Sequence, residues 1–369
     1  VYKKKMIEAQ KKLEAETDPN KKKALKNEIA RYNNLQMAKK VGLNSAYGSL
    51  GTPYFRFFDI RQALAITLSG QLSIRWIENR INDYLNKLLK TENKDYVIAS
   101  DTDSIYLNLS QLVSQSFQTL PEKSKIIKFL DRACSEALQP FIDKTYQELA
   151  EYVNAYDQKM VMKREALADK AIWTAKKRYI INVHNNEGVQ YAEPKIKIMG
   201  LEVQKSSTPA FFREKMKEAI KIIVNKTEDD VIAYIAKIRS EMKSVNPEDI
   251  AFPRSVNGLA KYERENYKVP IHVRGSIIYN RLLREKDLTK KYQSIKEGEK
   301  IKFIYLTEPN PTQGNIVSFG GKLPEEFNLH RYIDYQKQFQ GAFVEPLKII
   351  LDSIGWQTEH RHTLDALFS

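Results

Sequence analysis

Cysteine is almost missing: Cys134 stands alone among 369 residues, so no internal disulfide can staple the chain, and a reducing compartment suits it best. Long apolar runs are missing as well, since none approaches the roughly 20 residues that a membrane-spanning helix needs. No apolar leader opens the sequence, and no internal repeat is present, which removes repeat architectures from consideration. Negative charge is in deficit. Lys and Arg number 60 against 46 Asp and Glu, a formal net charge of +14, which fits a partner made of phosphates, although a merely solvated basic surface would carry the same balance. What the chain does have is 42% hydrophobic residues and 20 tyrosines. The first supports two or three packed units; the second, interleaved with basic residues, suits stacking on bases as well as packing.

The periodicity predicts the elements. Residues 1–16 read as a helix without an N-cap, which leads to the expectation that something upstream was removed or lies in another polypeptide. A turn at Thr17, Asp18, Pro19 and Asn20 sends a second helical pattern, about 21–49, back along the first. Residues 1–40 hold twelve Lys or Arg against five Asp or Glu, so this antiparallel hairpin is strongly basic. After Gly51, Thr52 and Pro53, residues 59–90 predict a long helix with Ile60, Leu64, Leu68, Leu72, Trp76, Ile81 and Leu85 as its core stripe. Two short strands, 96–100 and 104–107, then flank an acidic turn. An amphipathic helix over about 124–152 follows, and a strand pair over 179–184 and 189–192. From Thr208 onward basic helices are broken by Pro247, Pro253 and Pro270, which marks a separate unit. The fold class expected is α+β.

Three clusters carry chemistry. Asp101 and Asp103 sit at the joint of two apolar strands, where a period-two alternation would put both carboxylates on one side. Hard carboxylate oxygens suit Mg²⁺. Buried strands around them would exclude water, and a cation would relieve the repulsion. An ordinary acidic hairpin turn is the plain alternative. Lys40, Asn44, Tyr47 and Gly48 lie on one helix, where a cation, an amide and a ring along one face match the phosphate, sugar and base of a nucleotide. A lysine folded over a packed tyrosine would look similar. Lys176, Lys177, Arg178 and Tyr179 form a basic stretch entering a strand, suited either to a phosphate backbone or to guarding a strand edge.

Together these runs carry a resemblance. Residues 40–48 (KVGLNSAYG) resemble motif B of the family B DNA polymerases, residues 100–104 (SDTDS) their motif C, and residues 176–179 (KKRY) their primer-template contact motif. The runs at 192–202 and 204–209 are similar to those of polymerases from T-even-type bacteriophages. The resemblance implies a helical fingers hairpin at 1–52, a palm with antiparallel strands at 53–205, a mainly helical thumb at 206–357 and a clamp-binding tail at 358–369.

By the same resemblance, Lys40 and Asn44 would meet the incoming dNTP, and Tyr47 and Gly48 the nascent base pair. Lys3 would fit the end of a further nucleotide-binding pattern in the fingers. Asp103 would hold two Mg²⁺ ions (Mn²⁺ a possible substitute), with Asp101 and Glu165 beside them. Lys177 would read the primer-template minor groove, supported by Lys176, Arg178 and Tyr179. Leu364, Leu367 and Phe368 would grip a ring-shaped sliding clamp. The implied activity is DNA-directed DNA polymerisation in the cytoplasm of a phage-infected bacterium. Motif A, with the other metal-binding aspartate, and the acidic exonuclease motifs are not found in these residues, so an N-terminal part or partner chain carrying them is expected, and the isolated chain is expected to be inert. The rival readings are an inactive DNA-binding or clamp-binding subunit, and another palm polymerase such as a reverse transcriptase; intact Asp101, Asp103, Lys40 and Tyr47 argue against the first, KKRY and NSAYG against the second.

Overall fold

The computed structural model describes residues 1–264 and 269–360. It is α+β, with helices predominating and small antiparallel sheets, as the sequence predicts. By backbone packing the chain divides into one unit of Val1–Asp169 with Asn182–Lys195, and a second of Lys170–Ile181 with Ile196–Ser369.

In the first unit, α1 (Tyr2–Ala15) and α2 (Pro19–Leu50) pack as the expected hairpin. Asp18 caps α2 by accepting the Asn20 and Lys21 N–H groups, with Pro19 preset at the first helical position. The next helix, α3 (Ile60–Leu89), starts on Asp59, which accepts the Arg61 N–H. It leads to β1 (Val97–Asp101) and β2 (Ser104–Leu107), a two-stranded antiparallel sheet.

The helix predicted over about 124–152 is present as one unbroken helical run over 123–152, but it is not α-helical throughout. A short α4 (Ser110–Ser116) precedes α5 (Lys123–Ala133), and a π-helical turn at Cys134–Leu138 joins α5 to α6 (Gln139–Tyr152). Pro140 explains the widened turn, because its ring displaces the carbonyl that an α-helix would place there. Cys134 is buried in that turn, and burial pushes its thiol pKa up.

The core stripe expected along α3 holds only in its C-terminal half. Ile77, Ile81, Leu85 and Leu89 are enclosed, in one cluster with Ile142, Tyr146 and Leu149 of α6. Trp76 Nε1 donates to the Thr145 carbonyl at 3.0 Å, and Tyr84 stacks on Phe141 at 4.3 Å. Ile60, Leu64, Leu68 and Leu72 are all exposed, Leu68 by 58%. Amphipathic spacing says which face is apolar, not whether anything covers it.

A three-stranded sheet follows in the order β3 (Ala166–Ala175), β4 (Arg178–Asn186), β5 (Val189–Met199). The predicted strand pair is its β4 and β5; β3 went unread. Beyond it come α7 (Ala210–Asn225), α8 (Glu228–Glu241), α9 (Pro247–Ile250), β6 (Phe252–Ser255), α10 (Leu259–Arg264), α11 (Ile271–Glu285), β7 (Lys300–Tyr305), β8 (Ile316–Phe319), α12 (Tyr335–Phe339) and α13 (Glu345–Asp352). The mainly helical expectation missed the antiparallel sheet β6-β7-β8. Its β8 is buried at every position, so it lacks the polar alternation that marks a half-exposed strand. Thr227 and Asp230 form a reciprocal capping box at α8. The core of this unit is aromatic: Phe212, Phe339 and Phe343 are enclosed, the last two stacked at 5.3 Å.

Candidate active site

Asparagines near the end of α3 fix where the acidic hairpin begins. Asn82 Oδ1 accepts the N–H groups of Tyr96 at 2.9 Å and Val97 at 3.1 Å. Asn86 Nδ2 donates to the Lys94 carbonyl at 2.8 Å while its Oδ1 accepts the Lys94 N–H at 3.0 Å. The start of β1 is thereby tied to a helix whose C-terminal half is core. Sequence reasoning passed over both residues; their signal is a pair of polar side chains four apart on the buried half of a helix, next to a strand start.

From there β1 pairs with β2 through Ala99 and Tyr106, Ser100 and Ile105, and Asp101 and Ser104, with a bulge at Ile98. Thr102 and Asp103 are left as the turn. Thr102 has φ 58°, and the Asp103 N–H donates to the Asp101 carbonyl at 2.7 Å. That is a γ-turn of the rarer positive-φ kind, costly for a β-branched residue. Thr102 Oγ1 donates to Asp101 Oδ1 at 2.9 Å, and Ser104 Oγ to the Asp101 carbonyl at 3.2 Å.

Two expectations about this pair are corrected. Strand alternation does not apply, because Thr102 and Asp103 are turn residues. Nor do the strands exclude water: Asp101 is half-buried, Asp103 is exposed and β2 is half-buried along its length. The sheet has two strands, so among the described residues no third strand closes over it.

Carboxylates reached by solvent on a tight turn fit a hard divalent cation, which keeps part of its water shell. By themselves two carboxylates would make only a partial ligand set. Among the described residues no group of three or more His, Cys, Asp or Glu is placed to hold a metal ion. Glu165 is exposed at the foot of β3 and does not join Asp101 and Asp103 in such a group; its carbonyl accepts the Glu187 N–H at 2.6 Å.

On α2, Lys40, Asn44, Tyr47 and Gly48 are all exposed, so the predicted helical stripe is open. Ser45, Ser49 and Thr52 hydroxyls each donate 2.8 Å bonds to carbonyls four residues earlier, and the helix runs through Gly42 and Gly48. A Cβ at Gly48 would touch nothing within 4 Å, so the packing of this chain does not itself demand a glycine there. Lys3, on α1, has its ammonium paired with the Glu187 carboxylate.

In the second unit Lys176 and Lys177 form the turn between β3 and β4, and Lys177 has φ 62°. The basic stretch does enter a strand, β4, but its two lysines precede that strand as turn residues. Both are exposed, whereas Tyr179 is buried, near Trp173 at 6.3 Å between ring centroids. Arg178 Nη2 binds Glu202 Oε2 at 2.6 Å, so its charge is matched within the protein. Leu364, Leu367 and Phe368 lie outside the described residues.

Residues 3–149 match the sequence model of DNA polymerase family B. The chain is similar to the DNA-directed DNA polymerase of Enterobacteria phage T4, 35% identical over 352 residues that cover 91% of this chain and 39% of that protein. Its similarity to the DNA-directed DNA polymerase of Escherichia phage RB69 is 33% over 350 residues, 90% of this chain and 38% of the relative. The chain thus spans about two fifths of the length of these relatives.

Proposed function

The chain is a member of DNA polymerase family B corresponding to part of the length of its relatives, and from that premise we propose that it is the fingers, motif C palm and thumb part of a replicative DNA-directed DNA polymerase. One observation carries the reading: the similarity runs over 91% of the chain and takes in the NSAYG, DTD and KKRY runs in order.

In this reading the 3′-hydroxyl of a DNA primer attacks the α-phosphorus of a dNTP and pyrophosphate leaves. Asp103, with Asp101 beside it, would hold Mg²⁺, or Mn²⁺ in its place. Bound there, two such ions supply charge that stabilises the attacking and leaving oxygens. The Lys40 ammonium meets the triphosphate, Asn44 hydrogen-bonds beside it, and Tyr47 and Gly48 form a surface against the nascent pair. Lys3 reaches the nucleotide only by giving up Glu187. Lys176 and Lys177 meet the primer-template, and the duplex supplies the phosphates that the +14 charge favours.

The ligand set is completed by the remaining polymerase length, an N-terminal part or a partner chain that carries motif A. Support comes from the two-stranded sheet and from the exposed apolar side chains of Tyr54, Phe57, Leu64 and Leu68, which a partner could cover. The tail over 358–369 takes a sliding clamp, and the setting is the cytoplasm of a phage-infected bacterium, as its phage relatives suggest. Residues 364–369 can be deleted to test the clamp: processive synthesis with the clamp falls and distributive synthesis stays.

The central test is Asp103→Asn in the assembled polymerase. Single-turnover incorporation in Mg²⁺ drops by about a thousandfold or more, while primer-template binding holds within a few-fold. Near-normal incorporation would remove the hairpin from the chemistry.

A further inference from the structure

We propose that Gly200 and Glu202 are positioning residues for the Lys176–Lys177 turn, the first by letting the segment after β5 lie directly against the Lys177 carbonyl, the second by holding the Arg178 side chain. The proposal rests on the reading of Lys177 as a primer-template contact, and concerns what fixes that residue in place.

The approach at Gly200 is closer than any side chain permits. Its φ is +68°, and a Cβ built there would stand 2.2 Å from the Lys177 carbonyl oxygen and 3.2 Å from Arg178 Cγ. The first atom is backbone and cannot swing away, so any other residue must push the two segments apart. Lys177 itself has φ 62°, a conformation that costs a side-chain-bearing residue and persists only where its surroundings enforce it. A two-lysine turn of like charges has little reason of its own to stay there.

Glu202 supplies the second grip. Its Oε2 takes Arg178 Nη2 at 2.6 Å and its Oε1 takes Lys205 Nζ at 3.0 Å. The Arg178 and Glu202 side chains are only 27% and 22% exposed, which strengthens a charge-assisted bond compared with a surface pair. Arg178 Nε is buried without a partner, so the guanidinium is aimed at Glu202 at some expense. Thr174 Oγ1 donates to the Arg178 carbonyl at 3.3 Å, closing the far side of the turn.

The segment that does the holding is itself anchored. Leu201 and Val203, on either side of Glu202, are buried at 1% and 3% in the aromatic core. Thr208 Oγ1 donates to the Glu202 carbonyl at 2.7 Å. Core, segment and turn are thus linked through contacts within one unit, and Arg178 serves the turn instead of meeting DNA itself.

The test uses the assembled polymerase with Gly200→Ala, Glu202→Gln and Lys177→Ala, singly and with each of the first two combined with the third. Amide exchange over residues 175–179, measured without DNA, rises in Gly200→Ala and in Glu202→Gln. Gly200→Ala weakens primer-template binding roughly tenfold and Glu202→Gln about threefold, while the KM for dNTP stays within twofold. In the Lys177→Ala background either substitution costs less than twofold, because residues that act through one side chain are not additive. Unchanged exchange over 175–179 in folded variants overturns the proposal, as does full additivity with Lys177→Ala. Should Gly200→Ala not fold, Glu202→Gln carries the same arms. If exchange rises as expected but Lys177→Ala alone leaves primer-template binding intact, the hold on the turn stands and the polymerase role of Lys177 falls.

Discussion

In the second unit Phe212, Phe319, Phe339 and Phe343 are fully enclosed, whereas in the first Phe55, Phe57, Phe58, Leu64 and Leu68 stand open to water. Among the described residues the only large apolar side chains exposed in the second unit are Met199 and Ile349; the others belong to the first. The contrast is not one of composition. Both units carry amphipathic helices, but the first leaves half the apolar face of α3 uncovered, and the acidic turn lies at the end of an adjoining two-stranded sheet. A body with a closed core can hold a turn such as Lys177 rigidly by itself. A body with an open apolar face offers a surface that a partner can cover, and in the reading proposed above the remaining polymerase length covers it.

Core truncation should separate the units most sharply. Phe343→Ala removes a ring stacked on Phe339 and should cost about 3–5 kcal/mol in denaturant unfolding of the second unit. Leu68→Ala in the same chain should change stability by only about 0.5 kcal/mol or less, since its side chain is already in water. Equal losses would erase the distinction. The next effect belongs to the face itself. Leu64→Asp with Leu68→Asp should leave the chain folded and more soluble, yet lower primer extension by the assembled polymerase at least tenfold, each buried leucine being worth roughly 1.5–3 kcal/mol at an interface. Sedimentation of the mixture would show whether assembly is what is lost.

How much of this was legible in the sequence follows from what each signal encodes. Helical spacing located α1, α2 and α3 and the acidic hairpin, because apolar periodicity and turn residues are local properties. The same spacing could not tell that Leu64 faces water and Ile81 faces core, since burial depends on what packs against a face. Strand β8 was missed because enclosure on all sides leaves it no alternation, and β3 because charged Asp169 and Lys170 interrupt it. At the site, the residue types of the motifs were readable but their geometry was not. Thr102 and Lys177 both leave the extended conformation, and neither Gly200 nor Asn82 announces itself without its neighbours across the fold. The tail residues fall outside the described chain, so their role rests on resemblance.

A smaller effect tests whether the second unit's exposed turn meets duplex geometry. Lys177→Ala should weaken primer-template binding roughly tenfold, about what a good groove contact contributes, and should change extension of mismatched ends by a different factor from matched ones. Measuring both kinds of end at two salt concentrations separates geometry from charge, because a plain phosphate contact would lower the salt slope by about one and treat both ends alike. Identical factors for the two kinds of end would make Lys177 a backbone contact only.

The smallest effect concerns acid, where each unit has a partly enclosed carboxylate held below its ordinary range. Burial alone would raise the Asp169 carboxyl, but hydrogen bonds from Lys123 and Asn182 and the charge of nearby His184 outweigh it, so its pKa falls below 3.8. Lys123 Nζ lies 2.7 Å from Asp169 Oδ2, and Asn182 Nδ2 donates to Oδ1 at 2.8 Å. Glu202 is depressed in the same way in the second unit: burial opposes, while Lys205 and Arg178 prevail. A carboxylate whose pKa is lower folded than unfolded stabilises the fold at pH values above its unfolded pKa. That contribution is lost as pH falls through the folded pKa. Asp169→Asn should therefore be less stable than the parent chain at neutral pH, and the gap should shrink toward zero as pH drops below about 4. Exchange of first-unit amides near β3 and β4 reads this locally, and second-unit amides around Phe343 should not respond to the substitution. If the gap is the same at pH 7 and pH 3, Asp169 acts by shape and not by charge; if it widens in acid, the protonated carboxyl is the form that the fold prefers.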